Sequence, residues 1–307
     1  MTDNSKNINK ILCVGEILWD MLPTGAKAGG APMNVSLHLK KLGLNSIFAG
    51  RIGNDKLGYS LVEFLKQNGM DTSLIQVDAH FPTSTVEVSI GTDHQVKFDI
   101  IDNVAWDRFE LTDELNLASE ESDILVYGTL SSRHYLTRKT IHTLIDKPCL
   151  KLIDVNLRPP FIDKEVVEEL LLKADIAKLN SDELKFIGGW YNLGINEVEL
   201  TNWFAEKYKC QIVCITRGAE GALIFDNGNI LENTGYKVNV IDTVGSGDAF
   251  LAGFLVKYLS GASLAQTLDF ACATGALVAT KAGGTPDYDL EEIYNIQGIN
   301  NDKAKIL

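Results

Sequence analysis

The sequence of 307 residues lacks any apolar run as long as the roughly 20 residues that a membrane-spanning helix needs. It also lacks clusters of Lys and Arg, and its 28 basic residues are outnumbered by 41 acidic ones, for a formal net charge of −13. Such a surface repels a polyanion, so we expect neither a nucleic-acid nor a membrane partner. Local features must therefore hold any anionic substrate.

Cysteine is scarce, and no secretory signal is visible. Cys210 and Cys214 have a Cys-x-x-x-Cys spacing, but no His or Cys pair completes a zinc site. The N-terminal residues Met1–Lys10 are polar and lead directly into a strand-like segment. These features predict reduced thiols in a cytoplasmic protein.

Three familiar nucleotide-binding patterns are also missing. No Gly-x-x-x-x-Gly-Lys-Ser/Thr sequence occurs, which excludes a P-loop, and the set of protein-kinase signatures is absent. No Gly-x-Gly-x-x-Gly follows the first predicted strand, which argues against a dinucleotide-dependent dehydrogenase. Nucleotide chemistry in this chain would need a different loop.

What the sequence does contain is an alternation of short apolar runs and amphipathic stretches. The runs predicted to be strands are Ile11–Val14, Ile47–Ala49, Ile124–Tyr127, Leu152–Val155, Ile176–Leu179, Ile212–Thr216 and Ala222–Phe225. The stretches predicted to be helices are Met33–Leu42, Leu57–Leu65, Val166–Leu172, Ala249–Leu259 and Leu264–Lys281. Fully apolar strands between helices are typical of a parallel sheet covered on both faces. We therefore expect one α/β domain over 1–307, with a doubly wound, mostly parallel sheet.

One region follows a different pattern. Apolar and polar residues alternate in Thr85–Ile90 and in Val96–Ile100, and the connector Gly91–Gln95 between them is rich in turn-forming residues. A period of two indicates a sheet with one face in water, so these segments predict a hairpin outside the main core. We expect a small β-sheet lid over a cleft, formed from about 17–29 and 84–105.

The strongest chemical signal is Asp242-Thr-Val-Gly-Ser-Gly-Asp-Ala-Phe-Leu-Ala-Gly253. Gly245, Ser246 and Gly247 precede a predicted helix that begins near Asp248. Small residues let the backbone turn tightly and point several N–H groups at one spot, at the positive end of the helix. Asp248 could be a simple N-cap, although a cap does not need three small residues before it. A carboxylate beside such an anion hole suits phosphoryl transfer, with Asp248 as the base.

Two segments carry a family resemblance. Asp242–Gly253 resembles the C-terminal signature of the PfkB, or ribokinase-like, carbohydrate kinases. Gly29-Gly-Ala-Pro-Met-Asn-Val-Ser36, followed by Gly43 and Gly53, resembles their N-terminal signature. The signatures occur in the family order, and the resemblance extends from Ile11 to Pro286. It implies an ATP-dependent sugar kinase of the ribokinase-like fold.

The resemblance also implies roles for single residues. The implied catalytic residues are Asp248, as the base, with Gly245, Ser246 and Gly247 as the anion hole. The implied sugar contacts are Asp20, Gly30 and Asn34. The implied nucleotide contacts are Asn180, Glu183, Thr216, Gly218 and Gly221, with Glu183 organising Mg²⁺ mainly through water. Asp242 and Val244, with the Ala282–Gly284 segment, resemble the loop that binds a monovalent cation such as K⁺ in many members.

Each implied role has an ordinary alternative. Asp20 is explained as a loop acid, Asn34 as a helix cap, and Asn180 with Glu183 as a helix start. The Thr216–Gly221 stretch has the composition of a hairpin turn. These residues nevertheless follow predicted strands, as do Asn156 and Arg158. Ligands of open α/β sheets bind at the carboxyl ends of strands, so we expect the residues to converge on one rim.

Two further segments bear on the sugar and on assembly. Asp154-Val-Asn-Leu-Arg158 and Asp102-Asn-Val-Ala-Trp-Asp107 resemble elements of bacterial fructokinase-like proteins, the first also of ketodeoxygluconate kinases. Arg158 is thus a candidate contact to substrate or phosphate, and fructose is the favoured substrate over ketodeoxygluconate, ribose or tagatose. A binding-only regulator is a further alternative. Cys272 stands where many members of the family carry an Asn near the adenine pocket. Members of the family often form homodimers through their lids, so we expect a homodimer.

Overall fold

The structure, a computed structural model, describes residues 10–22, 25–90 and 96–298. The strands are β1 (Lys10–Val14), β2 (Leu18–Leu22), β3 (Gly25–Gly29), β4 (Asn45–Gly53), β5 (Ile75–Asp78), β6 (Ser84–Ile90), β7 (Val96–Ile100), β8 (Ile124–Gly128), β9 (Leu150–Asp154), β10 (Ile176–Asn180), β11 (Ile212–Thr216), β12 (Ala222–Asp226) and β13 (Asn229–Asn233). The α-helices are α1 (Ala31–Lys41), α2 (Lys56–Gln67), α3 (Asp113–Glu120), α4 (Tyr135–Ile145), α5 (Lys164–Leu171), α6 (Ser181–Gly189), α7 (Glu197–Tyr208), α8 (Ser246–Leu259), α9 (Leu264–Ala279) and α10 (Leu290–Ile296). The predicted connector Gly91–Gln95 and the residues before Lys10 lie outside the described residues.

The larger sheet has nine strands in the order β13-β12-β11-β10-β9-β8-β1-β4-β5. The strands from β11 to β5 pair in parallel, whereas β12 and β13 are antiparallel. The chain leaves the central β1 for β4 on one side and later enters β8 on the other. This is the doubly wound, mostly parallel sheet that the sequence predicts, and the fold class is confirmed.

Both faces of this sheet are buried under helices. In β1, Ile11 and Cys13 enter the apolar layer that contains residues of α1, α8 and α9. Leu12 and Val14 enter the opposite layer, which contains residues of α4, α5 and α7. Burial on both sides explains why the central strands are apolar at every position rather than at every second one. Among the described residues, none of the helices combines the length and apolar character that a membrane crossing requires.

The smaller sheet has four strands in the order β3-β2-β6-β7 and contains the described parts of the predicted lid segments. β2 pairs with β3 in antiparallel fashion and with β6 in parallel, and β6 pairs with β7 in antiparallel fashion. Leu18, Val86 and Ile100 form an apolar cluster with Trp106 and Leu130 of the main domain. One face of the small sheet is therefore directed towards the large one.

Arg133 anchors the chain that follows the small sheet. Its guanidinium donates to both carboxylate oxygens of Asp107 at 2.8 Å and to the carbonyl of Ile101 at 2.8 Å. It also stacks on the ring of Trp106 at 4.0 Å and on that of Phe161 at 4.3 Å. The fructokinase-like segment 102–107 thus has a structural role as the attachment of the small sheet.

A buried histidine joins α1 to the loop that follows α9. His38 Nε2 lies 2.9 Å from the carbonyl of Gly284, and Nδ1 lies 2.8 Å from the hydroxyl of Tyr288. Because a carbonyl only accepts, Nε2 carries the proton and Nδ1 accepts from Tyr288. Burial lowers the pKa of His38 to about 4, although the bond to Gly284 opposes this, and the nearby Lys41 lowers it further.

We expect His38→Gln to reduce the loss of stability on acidification. The unfolded chain binds a proton at His38 below pH 6.5, whereas the folded protein resists protonation until about pH 4. The folded state therefore loses on the order of 3 kcal/mol as the pH falls through this interval. Glutamine keeps a donor and an acceptor but does not titrate. The free energy of unfolding, measured with urea at pH 7 and pH 4.5, should fall less in the variant. Equal losses in both proteins would contradict this role of His38.

Candidate active site

A cavity of about 750 Å³ opens between the two sheets, at the carboxyl ends of the central strands. The residues predicted from the sequence that line it are Asp20, Gly30, Asn34, Arg158, Asn180, Thr216, Asp242, Val244, Gly245, Gly247 and Asp248. The predicted residues outside its described lining are Glu183, Gly218, Gly221 and Ser246. Most of the predicted set therefore meets at one rim, although its members are far apart in the sequence.

Asp248 projects into the cavity from the first turn of α8. The helix begins at Ser246, and Gly245, in a left-handed conformation with φ of 77°, occupies the cap position. The alternative that Asp248 is the N-cap is therefore wrong. Its carboxylate instead accepts a hydrogen bond from the Asn34 side-chain amide, with 2.8 Å between Nδ2 and Oδ2.

The surroundings of Asp248 favour its protonated form more than water does. Burial raises the pKa of Asp248 to about 7, and the negative charge of Asp154 adds to the rise. The charges of Lys178 and Arg158 and the hydrogen bond from Asn34 act in the opposite direction. A carboxylate with a pKa near neutrality is matched to accepting a proton from a hydroxyl group.

Gly245, Ser246 and Gly247 form the start of α8 beside this carboxylate. The first N–H groups of a helix have no preceding helical carbonyl to accept them, and they point out of its positive end. The Ser246 hydroxyl oxygen is buried and has no hydrogen-bond partner within the part of the chain that the structure describes. The N–H groups fit an anionic group such as a phosphate. Gly245 also packs against the Gly284 carbonyl so closely that a Cβ would collide with it.

Asp20 reaches the cavity from the first of the two segments predicted to form the lid. It lies inside β2 of the small sheet and not in a loop after the first strand, so the loop-acid alternative is wrong. Leu18, Asp20 and Leu22 alternate along β2 and all line the cavity. Burial raises the pKa of Asp20 to about 6, against the charge of Arg158. A Cβ on Gly29, in the neighbouring strand, would collide with the Asp20 carboxylate.

Asn34 and Gly30 lie at the start of α1. Gly30 has a φ of 118°, and a Cβ there would collide with the Glu16 carbonyl, so the close approach requires glycine. Asn34 is 4% exposed and sits one turn into the helix, which rules out the cap alternative. Its Oδ1 is buried and accepts no hydrogen bond from the described residues, although its Nδ2 holds Asp248. An acceptor is thus available to a hydroxyl donor in the cavity.

Asn180 and Glu183 form the start of α6. The Asn180 side chain accepts from the Glu183 N–H at 2.9 Å, and Glu183 Oε2 accepts from the Asn180 N–H at 2.9 Å. The Leu157 N–H donates to Glu183 Oε1 at 2.7 Å. This capping box is the helix start that the sequence left open as an alternative. Each oxygen of the buried Glu183 carboxylate accepts one N–H group and keeps a second lone pair, which fits a water ligand of a Mg²⁺ ion.

Asp242 connects the two loops that resemble the monovalent-cation site. Its Oδ1 accepts from the Val244 N–H at 3.0 Å, and its Oδ2 accepts from the Gly283 N–H at 3.0 Å. Asp242, Val244, Gly283 and Gly284 all line the cavity. Each carboxylate oxygen keeps a second lone pair, so the donor set fits a cation held by oxygens in this position.

Thr216 lies at the carboxyl end of β11 and lines the cavity, whereas the two glycines after it do not. Gly218 begins the short 3₁₀ turn between the antiparallel strands β11 and β12. Gly221 has a φ of 84°, and a Cβ there would collide with the Asn233 carbonyl. The geometry of this hairpin accounts for both glycines.

Sequence reasoning missed three charged residues of the cavity, Glu16, Lys27 and Lys178. Lys178 Nζ lies 3.0 and 3.1 Å from the two carboxylate oxygens of Asp154. Lys178 could have been found from its position inside the apolar strand Ile-Ala-Lys-Leu-Asn, because a lysine is rarely buried there without a partner. The signal for Glu16 was an acid directly after the first buried strand, and burial raises the pKa of this carboxyl group.

The chain is similar to known carbohydrate kinases over most of its length. The sequence pattern described as "pfkB family carbohydrate kinase" matches residues 23–290. The probable fructokinase-4 of Arabidopsis thaliana is 29% identical in an alignment 308 positions long that covers 90% of this chain and 92% of the relative. The crystal structure of the fructokinase with bound ATP from Xylella fastidiosa superposes with a TM-score of 0.84 at 22% identity, over 95% of this chain and 99% of that chain.

A double mutant of the fructokinase from Vibrio cholerae O395, solved with fructose, ADP and potassium, superposes with a TM-score of 0.82 at 23% identity. This superposition covers 95% of the present chain and 99% of the Vibrio cholerae chain. The family match and the relatives named fructokinase define a carbohydrate kinase. The chain belongs to the PfkB family of carbohydrate kinases.

We expect Gly245→Ala to damage the site while Gly261→Ala does not. The two glycines flank α8 with similar φ values of 77° and 74°, so alanine costs roughly 1–2 kcal/mol of strain at either. At Gly261 a Cβ would meet nothing within 4 Å, whereas at Gly245 it would displace the Gly284 carbonyl. Sugar-dependent ADP release should fall at least about tenfold in Gly245→Ala alone. Equal activity in the two variants would show that the close approach is unimportant.

Proposed function

We propose that this kinase transfers the γ-phosphate of ATP to a primary hydroxyl of fructose and forms fructose 6-phosphate. The observation that carries the proposal is the Asp248 carboxylate, which lies in the cavity beside the N–H groups of the Gly245–Gly247 turn. The relatives named fructokinase favour fructose as the sugar. The Asp154–Arg158 element supports the same subgroup.

In the proposed reaction, Asp248 accepts the proton of the sugar hydroxyl as its oxygen attacks the γ-phosphorus. A new O–P bond forms, the bond from the γ-phosphorus to the bridging oxygen breaks, and ADP leaves. The amide of Asn34 holds one carboxylate oxygen of Asp248, which leaves the other for the proton. The start of α8 stabilises the charge on the phosphoryl oxygens. A Mg²⁺ ion, held through water near Asn180 and Glu183, would neutralise part of the nucleotide's charge.

Charge in the sugar half of the cavity supports a neutral sugar. Arg158 would attract the carboxylate of ketodeoxygluconate if it stood alone. The acids Glu16 and Asp20 line the same part of the cavity, and the positive charge of Arg158 acts on both of them. With these acids nearby, Arg158 serves in this proposal as a hydrogen-bond donor to hydroxyl oxygens.

The small sheet acts as the lid in this proposal. Leu18, Leu22, Val86 and Ile100 place apolar side chains along the cavity wall, and closure over a bound sugar would exclude water. Water exclusion matters because an open site would hydrolyse ATP. A K⁺ ion at the loops of Asp242 and Val244 is part of the same proposal. We place the enzyme in the cytoplasm, since it consumes ATP and its five cysteines are free thiols.

We expect Asp248→Asn to abolish most of the turnover. Loss of the base should lower kcat by roughly 10²–10⁴-fold with ATP binding retained. The assay is ADP release with Mg²⁺ and ATP, with fructose, ribose, ketodeoxygluconate, tagatose, adenosine and fructose 6-phosphate tested in turn. Activity of the unmodified enzyme should decline below about pH 7, as the carboxylate of Asp248 becomes protonated.

The outcomes of this panel separate the parts of the proposal. Release that depends on fructose and disappears in Asp248→Asn supports substrate and base together. Release with another sugar would support the mechanism but would exclude fructose as the substrate. Near-normal turnover of Asp248→Asn would contradict the role of the base. Absence of release with every sugar, despite ATP binding, would favour first a substrate outside the panel and second a sugar- or nucleotide-binding regulator.

We expect the protein to form a homodimer through the lid. The outer strands β3 and β7 of the small sheet have backbone groups on one side that pair with no other described strand. A two-fold dimer would cover such edges. Light scattering at micromolar concentration should give twice the monomer mass of 33.7 kDa. A monomeric mass at that concentration would contradict the dimer.

A further inference from the structure

A charged pair interrupts the apolar ends of β9 and β10. Asp154 and Lys178 are direct partners in the parallel register of these strands, and their side chains are only 5% and 9% exposed. Two residues earlier, Leu152 and Ile176 enter the apolar layer beneath α8. A buried ion pair contributes little to stability compared with apolar residues of similar volume. The pair therefore calls for an explanation other than the stability of the sheet.

Lys178 lies against the turn that forms the anion hole. Its side chain lines the cavity, and a Cβ on Gly247 would be only 2.9 Å from Nζ. Burial alone would lower the pKa of Lys178, but the charges of Asp154, Asp248 and Glu183 outweigh it and raise this pKa. Lys178 is thus a cation at neutral pH, and it is held beside the N–H groups at the start of α8.

The other cations of the described cavity wall are placed differently. Lys27 belongs to β3 of the small sheet, and Arg158 lies in the exposed segment after β9. Lys178 is fixed in the central sheet by its two contacts to Asp154. An ammonium group has three donors, so one remains for a ligand in the cavity.

We propose that Lys178 is a further catalytic residue, whose ammonium group binds the oxygens of the transferring phosphoryl group, and that Asp154 is the residue that positions it. This inference rests on the proposed phosphoryl transfer to a hydroxyl activated by Asp248. The phosphoryl group moves from ADP to the sugar oxygen past the start of α8, and the Lys178 charge is already in place there. A preorganised cation costs no reorganisation during the reaction.

The same pair sets the charge around the base. The groups that face Asp248 are Asp154 on β9, Lys178 on β10, Asn34 on α1 and Arg158 after β9, while Glu183 on α6 faces Lys178. Asp154 raises the pKa of Asp248, and Lys178 lowers it. Removal of the Lys178 charge should therefore move the acid limb of the pH–rate profile to higher pH, and removal of the Asp154 charge should move it to lower pH. A purely structural pair would move neither.

The test compares three variants with the unmodified enzyme and a control. Lys178→Met should lower kcat by about 10²–10³-fold, as the loss of one preorganised donor does, with a smaller change in the KM of the sugar. Its acid limb should move to higher pH. Asp154→Asn should reduce kcat less, and its acid limb should move to lower pH. Lys185→Met, which removes one positive charge from the exposed face of α6, should leave kcat unchanged.

A double variant separates catalysis from folding. Lys178→Met alone leaves the buried Asp154 without its counter-ion and should lose stability. Asp154→Asn combined with Lys178→Met removes both charges, so its urea midpoint should recover towards that of the unmodified enzyme. Its kcat should stay as low as in Lys178→Met, because the cation is still missing.

Recovery of kcat together with stability in the double variant would overturn the proposal, as would a kcat of Lys178→Met within about threefold of the original. Acid limbs that move in the same direction would overturn it too. Failure of the proposed function has a different signature, since the unmodified enzyme would then release no ADP with any sugar. An active original with an equally active Lys178→Met contradicts the role of Lys178 alone.

Discussion

The site depends on the parallel pairing of neighbouring strands from β1 through β8, β9 and β10 to β11. This pairing brings the carboxyl ends of the strands to one edge, so residues from Glu16 to Thr216 line a single cavity. α8 packs on α9 over the same face of the sheet, and the contact of Gly253 with Thr274 keeps the two helices close. The N-terminus of α8 is thereby held over the strand ends, where its N–H groups and Asp248 face the cavity.

To bind a nucleoside triphosphate, an acidic protein has to create a favourable electrostatic field locally. At physiological ionic strength, exposed charges are screened beyond roughly 8 Å, so distant surface acids act weakly on a ligand in the cavity. The start of α8 and the Lys178 ammonium lie next to each other inside the cavity, where screening is weaker. In our proposal, these local donors outweigh the net charge of −13 at the place where a phosphate binds.

The sequence predicted what short segments determine by themselves. The apolar runs located the central strands, and the Gly-Ser-Gly turn with Asp248 could be interpreted from local chain geometry. α7 was missed although Leu200, Phe204 and Tyr208 follow the helical period. The place of Lys178 in the site was missed because its pairing with Asp154 requires the strand register of β9 and β10.

Asp154 shows why such residues escape motif analysis. Its carboxylate holds Lys178 at the anion hole and at the same time raises the pKa of Asp248. These two effects oppose each other at the base, because Lys178 lowers the pKa that Asp154 raises. A base with a higher pKa accepts the hydroxyl proton more readily but is less often free of a proton at neutral pH. Because these effects oppose each other, burial remains the main cause of the raised pKa of Asp248, and in our proposal the pair adds a cation for the phosphoryl group. An apolar pair at the ends of β9 and β10 would stabilise the sheet at least as well but would supply no such cation.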